Sequence, residues 1–245
     1  MKDLGGAQND TGRLVDVYER LLERFGPQGW WPGDGPFEII VGAILTQAAA
    51  WTNVEKALVN LKSAGVLSPE GVGSMPEDEL ASLVRPSGYY NAKARKLKAF
   101  VELLGREYGG DLDRMLDCPA EVLRQRLLST YGIGPETADS ILLYAAGLPV
   151  FVVDAYTRGV FTRLGVAPER DTYEAWQALF MSALPAKSTL FNEYHALIVR
   201  LGKEFCRKAP ECGECPLIDV CATGRASAGA GLAVNRSSLS GRAFV

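Results

Sequence analysis

The chain has 245 residues, 47% of them hydrophobic, with 26 basic and 29 acidic side chains and a net charge of −3. That apolar content suits one large domain or two small ones, and the balanced charge excludes a polybasic chain while leaving room for a local basic face. No apolar run approaches the ~20 residues of a membrane helix, and the opening residues hold no secretion-signal core, so a soluble, intracellular chain with no membrane partner is expected.

Apolar residues recur at helical spacing almost throughout. They predict helices over 13–25, 37–46, 52–64, 77–84, 91–108, 120–130, 137–146, 155–164, 172–184 and 190–204. Gly-Pro and Pro-Gly pairs at 26–27, 32–33, 35–36 and 134–135 punctuate them. Only 149–153, "PVFVV", reads as a strand, and it lacks partners, so the fold class is all-α. From Thr223 on, a Gly-, Ser- and Ala-rich stretch without a periodic apolar face reads as a disordered tail. The single histidine, His195, lies in a predicted helix, where a partly buried structural role is expected, and its solitude excludes His-rich zinc catalysis.

Cys206, Cys212, Cys215 and Cys221 form C-x5-C-x2-C-x5-C, and the fifth cysteine, Cys118, lies apart. In an intracellular chain such a group reads as metal ligands. Zinc sites usually pair two C-x2-C knuckles; a single knuckle with longer arms favours a 4Fe–4S cluster, with zinc the alternative. Arg207 and Lys208 sit inside the loop, where a metal-pinned turn would present them to phosphate; ordinary solvated charge is the plainer role.

Residues 121–147, "EVLRQRLLSTYGIGPETADSILLYAAG", read as helix, tight turn, helix. Gly132 and Gly134 permit positive φ and close backbone approach, and Pro135 suits a first helical turn. Helix-start amides form an anion site, although Gly-x-Gly alone would be only a connector.

The hairpin, a following Gly147–Pro149 loop, Asp154 and the four-cysteine loop occur together and in order. This combination resembles the helix–hairpin–helix/GPD superfamily of DNA glycosylases, of the endonuclease III type, over about Arg13 to Cys221. The resemblance implies that the hairpin grips DNA backbone phosphate, with Gly132, Gly134 and Thr137 the matching positions. Members that also cut the strand carry a Schiff-base lysine two residues past the second hairpin glycine. Here that position is Glu136, which cannot form a Schiff base, so the resemblance implies a monofunctional glycosylase without lysine-dependent lyase activity. Asp154, eighteen residues on, matches the family's catalytic aspartate. Its role would be to stabilise positive charge on the sugar and to orient water; an N-cap of the following helix is a compatible second role.

Two segments, "GWWPGDGPFEIIVGAILTQAAAW" and "VRPSGYYNAKARKL", are similar to the 3-methyladenine DNA glycosylases of that class. Carried over, Trp31 and Trp51 sandwich the extruded base and Gln47 fills the hole it leaves; core packing is the ordinary fate of such tryptophans. Trp30 and Trp176 read as core. A purine alkylated at N3 or N7 is cationic, which aromatic faces attract by roughly 0.5–2 kcal/mol, and it leaves without a strong general acid. Arg85, Lys93, Arg95, Lys96 and Lys98 supply local basic charge. The competing readings are a mismatch or damaged-pyrimidine glycosylase and a non-catalytic DNA-binding module. Thr46 and Ala48, flanking Gln47, offer no carboxylate for an adenine mismatch enzyme. The expected layout is an N-terminal segment 1–34 packing with a cluster-bearing subdomain 148–222, a helical barrel 35–147 and a tail 223–245, with the base flipped in a DNA cleft between the subdomains. The expected protein is a monomer in a prokaryotic cytoplasm, acting on double-stranded DNA that contains a damaged base.

Overall fold

The computed structural model describes residues 4–227, with side chains described from residue 10. Its helices are α1 (Leu4–Phe25), α2 (Pro36–Leu45), α3 (Trp51–Ser63), α4 (Pro69–Ser74), α5 (Glu77–Leu83), α6 (Tyr90–Tyr108), α7 (Leu112–Leu116), α8 (Ala120–Leu128), α9 (Pro135–Ser140), α10 (Ala155–Leu164), α11 (Tyr173–Ala183) and α12 (Ser188–Glu204). Among the described residues there is no strand, and none of their helices is long and apolar enough to cross a membrane. The run 149–153 is neither helix nor strand.

Two short helices, α4 and α7, escape the periodicity because one or two turns cannot establish it. Their caps mark them instead: Ser68 Oγ accepts from the Gly71 amide at 3.0 Å, and Asp111 Oδ1 from the Arg114 amide at 3.0 Å. The helix expected over 137–146 begins at Pro135 and ends as a π-helical turn, Ile141–Ala145.

The described residues form two compact units: one comprises those up to Trp30, Val153–Ala186 and those from Glu193 to residue 227, and the other Trp31–Val152 with Lys187–Asn192. The division falls at Trp31 rather than residue 35, because the Trp31 side chain packs against the core of the second unit.

In that second unit α2 is the central helix, with Ile40, Val41, Ile44 and Leu45 all at 0% exposure. Around it pack Val54 and Leu61 of α3, Phe100 and Leu104 of α6, Leu127 of α8, and Ile141 and Leu142 after α9. One cation sits in this apolar core. Lys93, 1% exposed, donates to the carbonyl oxygens of Leu45 at 2.8 Å and Ser87 at 2.6 Å. Burial, then the nearby Lys96 charge, lowers its pKa to about 8.

The first unit is built on an aromatic cluster. The rings of Phe161 and Phe180 lie 4.8 Å apart at 82°, and Tyr194 meets them at 6.2 and 6.0 Å. The Tyr194 hydroxyl donates to the Leu14 carbonyl at 2.7 Å, fastening α1 to α12. Trp176 is buried as expected; Trp30 is half-buried, with the Lys203 ammonium 5.9 Å from its ring centroid.

The first residues of the expected tail are ordered. Residues 222–227 are helical, and the Thr223 hydroxyl donates to the Arg163 carbonyl at 3.1 Å. Local hydrogen bonding therefore orders a stretch that composition alone made look featureless. The rest of the expected tail lies outside the described residues.

Tyr194→Phe removes this bond while the Leu14 carbonyl keeps its place in the α1 helix, so a loss of about 0.5–1.5 kcal/mol is expected in denaturant unfolding. A loss near zero would show that α1 does not depend on this bond.

Candidate active site

The hairpin turn is set by one glycine more than the other. Gly132 has φ 75°, and a Cβ there would come within 2.5–2.8 Å of the Lys96 side chain. Gly134 has φ −93°, so it needs no left-handed backbone; it occupies the N-cap of α9 without a side-chain cap, and Pro135 follows at the first turn. The legs of the hairpin are joined by a bidentate pair, in which Arg124 donates to the fully buried Asp139 at 2.7 and 3.2 Å. Gly132 and Glu136 are exposed. Thr137, expected at phosphate, is buried instead, and its hydroxyl accepts from Gln47 Nε2 at 2.8 Å. Gln47 Nε2 also donates to the Gly132 carbonyl at 3.1 Å, while Gln47 Oε1 accepts from the Lys96 ammonium. Ala48, next along, takes a left-handed φ of 51°, strained for a residue with a Cβ.

Trp31 and Trp51 come together, but not as a sandwich. Their ring centroids lie 5.2 Å apart at 89°, so the indoles meet edge to face and leave no slot for a base between them. Tyr144 also packs against Trp31, at 5.1 Å and 46°, so the three rings form an aromatic corner that the motifs did not reveal. Its spacing within an apolar helix is that of any core residue. Beside Trp51 a surface recess is lined by Asp34, Glu38, Glu55 and Lys62.

Asp154 caps α10, as its place before a helix predicts. Its Oδ1 accepts from the Thr157 amide at 2.7 Å and the Thr157 hydroxyl at 2.9 Å. Its Oδ2 lies 3.6 Å from Nε2 of His195, a buried residue of α12. Burial alone would push the Asp154 carboxyl up, but the His195 imidazole and the two Thr157 bonds outweigh it and hold it below the usual carboxylate range. His195 is thus buried, as expected, and is also the partner of Asp154. The separation of 41 positions hid that pairing, since no local spacing reports a contact between α10 and α12.

The four cysteines of 206–221 line one cavity with Phe205 and Ile218. Burial pushes the Cys215 thiol up, and the neighbouring Cys206, Cys221 and Cys212 add to it. Arg163 reaches in, donating to the Cys206 carbonyl at 2.8 Å and to its Sγ at 3.1 Å. Among the described residues, no three His, Cys, Asp or Glu side chains close round a point as one bound ion requires. The donor set itself, four thiols in an apolar cavity with a guanidinium against one sulfur, fits a cluster ligated by thiolates. Arg207 is exposed and engaged locally, donating to Lys203 O at 2.9 Å and to Glu211 at 3.0 Å; Lys208 is exposed.

The family model for "HhH-GPD superfamily base excision DNA repair protein" matches residues 41–186. The chain belongs to this superfamily and is a DNA base excision repair glycosylase. A Methanocaldococcus jannaschii protein, provisionally described as a DNA repair glycosylase, is 43% identical over 215 residues, covering 87% of this chain and 98% of its own. Among solved structures, the H. pylori 3-methyladenine DNA glycosylase bound to 1,N6-ethenoadenine matches with a TM-score of 0.69 and 27% identity, over 80% of this chain and 97% of that one. A trapped endonuclease III–DNA covalent intermediate matches with a TM-score of 0.76 over 89% of this chain and 98% of that one; at 22% identity it shares the fold.

Asp154→Asn keeps a capping side chain and removes the charge. Because the folded carboxyl titrates below its ordinary range, the charge stabilises the protein above that range, and the benefit is lost as pH falls through the folded value. Thermal melts are expected to show wild type above the variant at neutral pH, with the gap closing on acidification. A gap that is constant with pH would contradict the assignment.

Proposed function

We propose that this glycosylase removes alkylated purines, 3-methyladenine foremost and 7-methylguanine with it, from double-stranded DNA by hydrolysis, leaving an intact strand with an abasic site. The observation that carries the reading is the aromatic corner of Trp31, Trp51 and Tyr144; in the recess beside Trp51, Lys62 pairs with Asp34 and Glu38 at 2.8 Å each, and Glu55 adds a further carboxylate. Aromatic faces favour a cationic base over a neutral one. Likeness to a 3-methyladenine DNA glycosylase supports the same substrate class. In this reading the base rests against the corner rather than between two parallel indoles.

The chemistry asks little of a proton donor. As the bond between C1′ and the base nitrogen breaks, its electron pair leaves with the base and neutralises the positive charge already there. Positive charge then builds on the sugar. Asp154, held ionised, stabilises it and orients the water that attacks C1′. Oδ1 is taken up by Thr157, so Oδ2 is the oxygen left for the sugar, and His195 keeps that carboxylate charged and fixed. Glu136, where a lyase carries its amine, forms no Schiff base, which supports hydrolysis without strand cleavage. The hairpin backbone at Gly132 and Gly134 holds a phosphate, with Arg207 and Lys208 contributing basic charge. Gln47 takes the space of the departed base. Cys206, Cys212, Cys215 and Cys221 would hold a 4Fe–4S cluster, whose part is to brace the loop that carries Arg207 and Lys208.

Incubated with methylated duplex DNA, the protein is expected to release free 3-methyladenine, identified chromatographically, with strands cut only after heat or alkali. Borohydride should trap no covalent adduct. Release of uracil or thymine opposite guanine in place of methylated purine would overturn the substrate, and nicking without alkali would overturn the monofunctional reading. The purified protein is expected to carry ~4 iron atoms per chain by metal analysis; one zinc in their place would overturn the cluster.

A further inference from the structure

We infer that Lys96 is a positioning residue, one that orients the Gln47 amide and couples it to the hairpin; the inference rests on the reading that Gln47 replaces the extruded base. Lys96 lies on α6 and performs two tasks with one side chain. Its methylene stem runs under Gly132, so closely that a Cβ on that glycine would meet Cε, Cγ and Cδ at 2.5–2.8 Å. Its ammonium donates to Gln47 Oε1. The other end of Gln47 is bound to the hairpin itself, through the Gly132 carbonyl at 3.1 Å and the buried Thr137 hydroxyl at 2.8 Å. Lys96, Gln47 and the Gly132 turn therefore form a closed triangle.

The chemistry of the partners fixes the sense of the amide. An ammonium only donates, so the oxygen of Gln47 must face Lys96. A backbone carbonyl only accepts, so the nitrogen must face Gly132. Turning the amide over would set like against like at both ends. With both N–H groups engaged by Gly132 and Thr137, Gln47 retains one lone pair on Oε1, an acceptor suited to an N–H of the orphaned base. A hairpin seated on phosphate then carries a glutamine already turned for the duplex. Without Lys96, the turn loses its floor and the amide loses the partner that sets its sense. Lys93, one turn earlier, is tied to Leu45 and Ser87 and cannot substitute.

The test uses Lys96→Met, which keeps a stem under Gly132 and removes the ammonium, alongside Gln47→Ala and the double variant, each checked for folding by thermal melting. The readout is affinity for a duplex with one abasic site relative to the intact duplex, with 2-aminopurine opposite the site reporting insertion, so no catalysis is needed. Lys96→Met is expected to lower abasic-site selectivity about tenfold, the order of one charge-assisted hydrogen bond, with intact-duplex affinity changed less than about twofold. Gln47→Ala should do the same, and the double variant should be no worse than Gln47→Ala, because Lys96 acts through it. Lys96→Arg, retaining a donor, should recover part of the selectivity. Two results would overturn the inference: additive losses in the double variant, or equal weakening on intact and abasic duplexes with a shallower salt dependence, the mark of a phosphate contact. If wild type releases no base yet the non-additivity appears, the excision reading falls and the role of Lys96 stands.

Discussion

Burying a carboxylate costs free energy unless its oxygens find partners, and at Asp154 those partners shape the site around it. Thr157 satisfies one oxygen twice, through its amide and its hydroxyl, and so fixes the first turn of α10. Val153, just before, is 1% exposed, and its amide donates to the Tyr173 hydroxyl at 3.4 Å. The residue is thus held from both sides along the chain, and from across the unit by His195. The net effect keeps the acid ionised. An ionised carboxylate is a poor proton donor at neutral pH and a good stabiliser of developing cationic charge. An acid held ionised supplies no proton to a departing base, which agrees with the proposed excision of purines already made cationic by alkylation.

The second unit applies the same economy of partners to neutral groups. Gln47 has its amide hydrogens taken by the hairpin and its oxygen by Lys96, and the hairpin legs are clamped by Arg124 on Asp139. For the proposed entry of Gln47 into the duplex, rigidity beforehand is a gain, since ordering the side chain on binding would cost affinity. The left-handed Ala48 beside it is a strained conformation that the surrounding contacts hold in place.

Features written into short stretches of chain are legible in the sequence. A carboxylate followed at its third position by threonine marks a helix cap, Gly-x-Gly-Pro marks a tight turn into a helix, and the cysteine spacing brings four thiols to one cavity. Features made by contact between distant segments are not. His195 reaches Asp154 across 41 positions, and Tyr144 joins Trp31 from another part of the chain, yet both sit in ordinary apolar helices. Thr137 illustrates a different limit. Motif matching carries it to the DNA face with its neighbours, whereas helical periodicity turns it inward, where its hydroxyl is occupied by Gln47. The motifs bring the indoles of Trp31 and Trp51 together, as the structure does, but the angle between two rings is a packing outcome that no spacing encodes. Local hydrogen bonding at 222–227, likewise, orders residues whose composition suggests none.

The most direct measurement is single-turnover excision of 3-methyladenine from duplex DNA by wild type and Asp154→Asn, with affinity for an abasic-site duplex measured in parallel. The variant is expected to lose at least ~10²–10³-fold in rate while its affinity for the abasic duplex is retained. A variant that excises at the wild-type rate, or one that fails only because it no longer binds DNA, would contradict the claim that this carboxylate performs the chemistry.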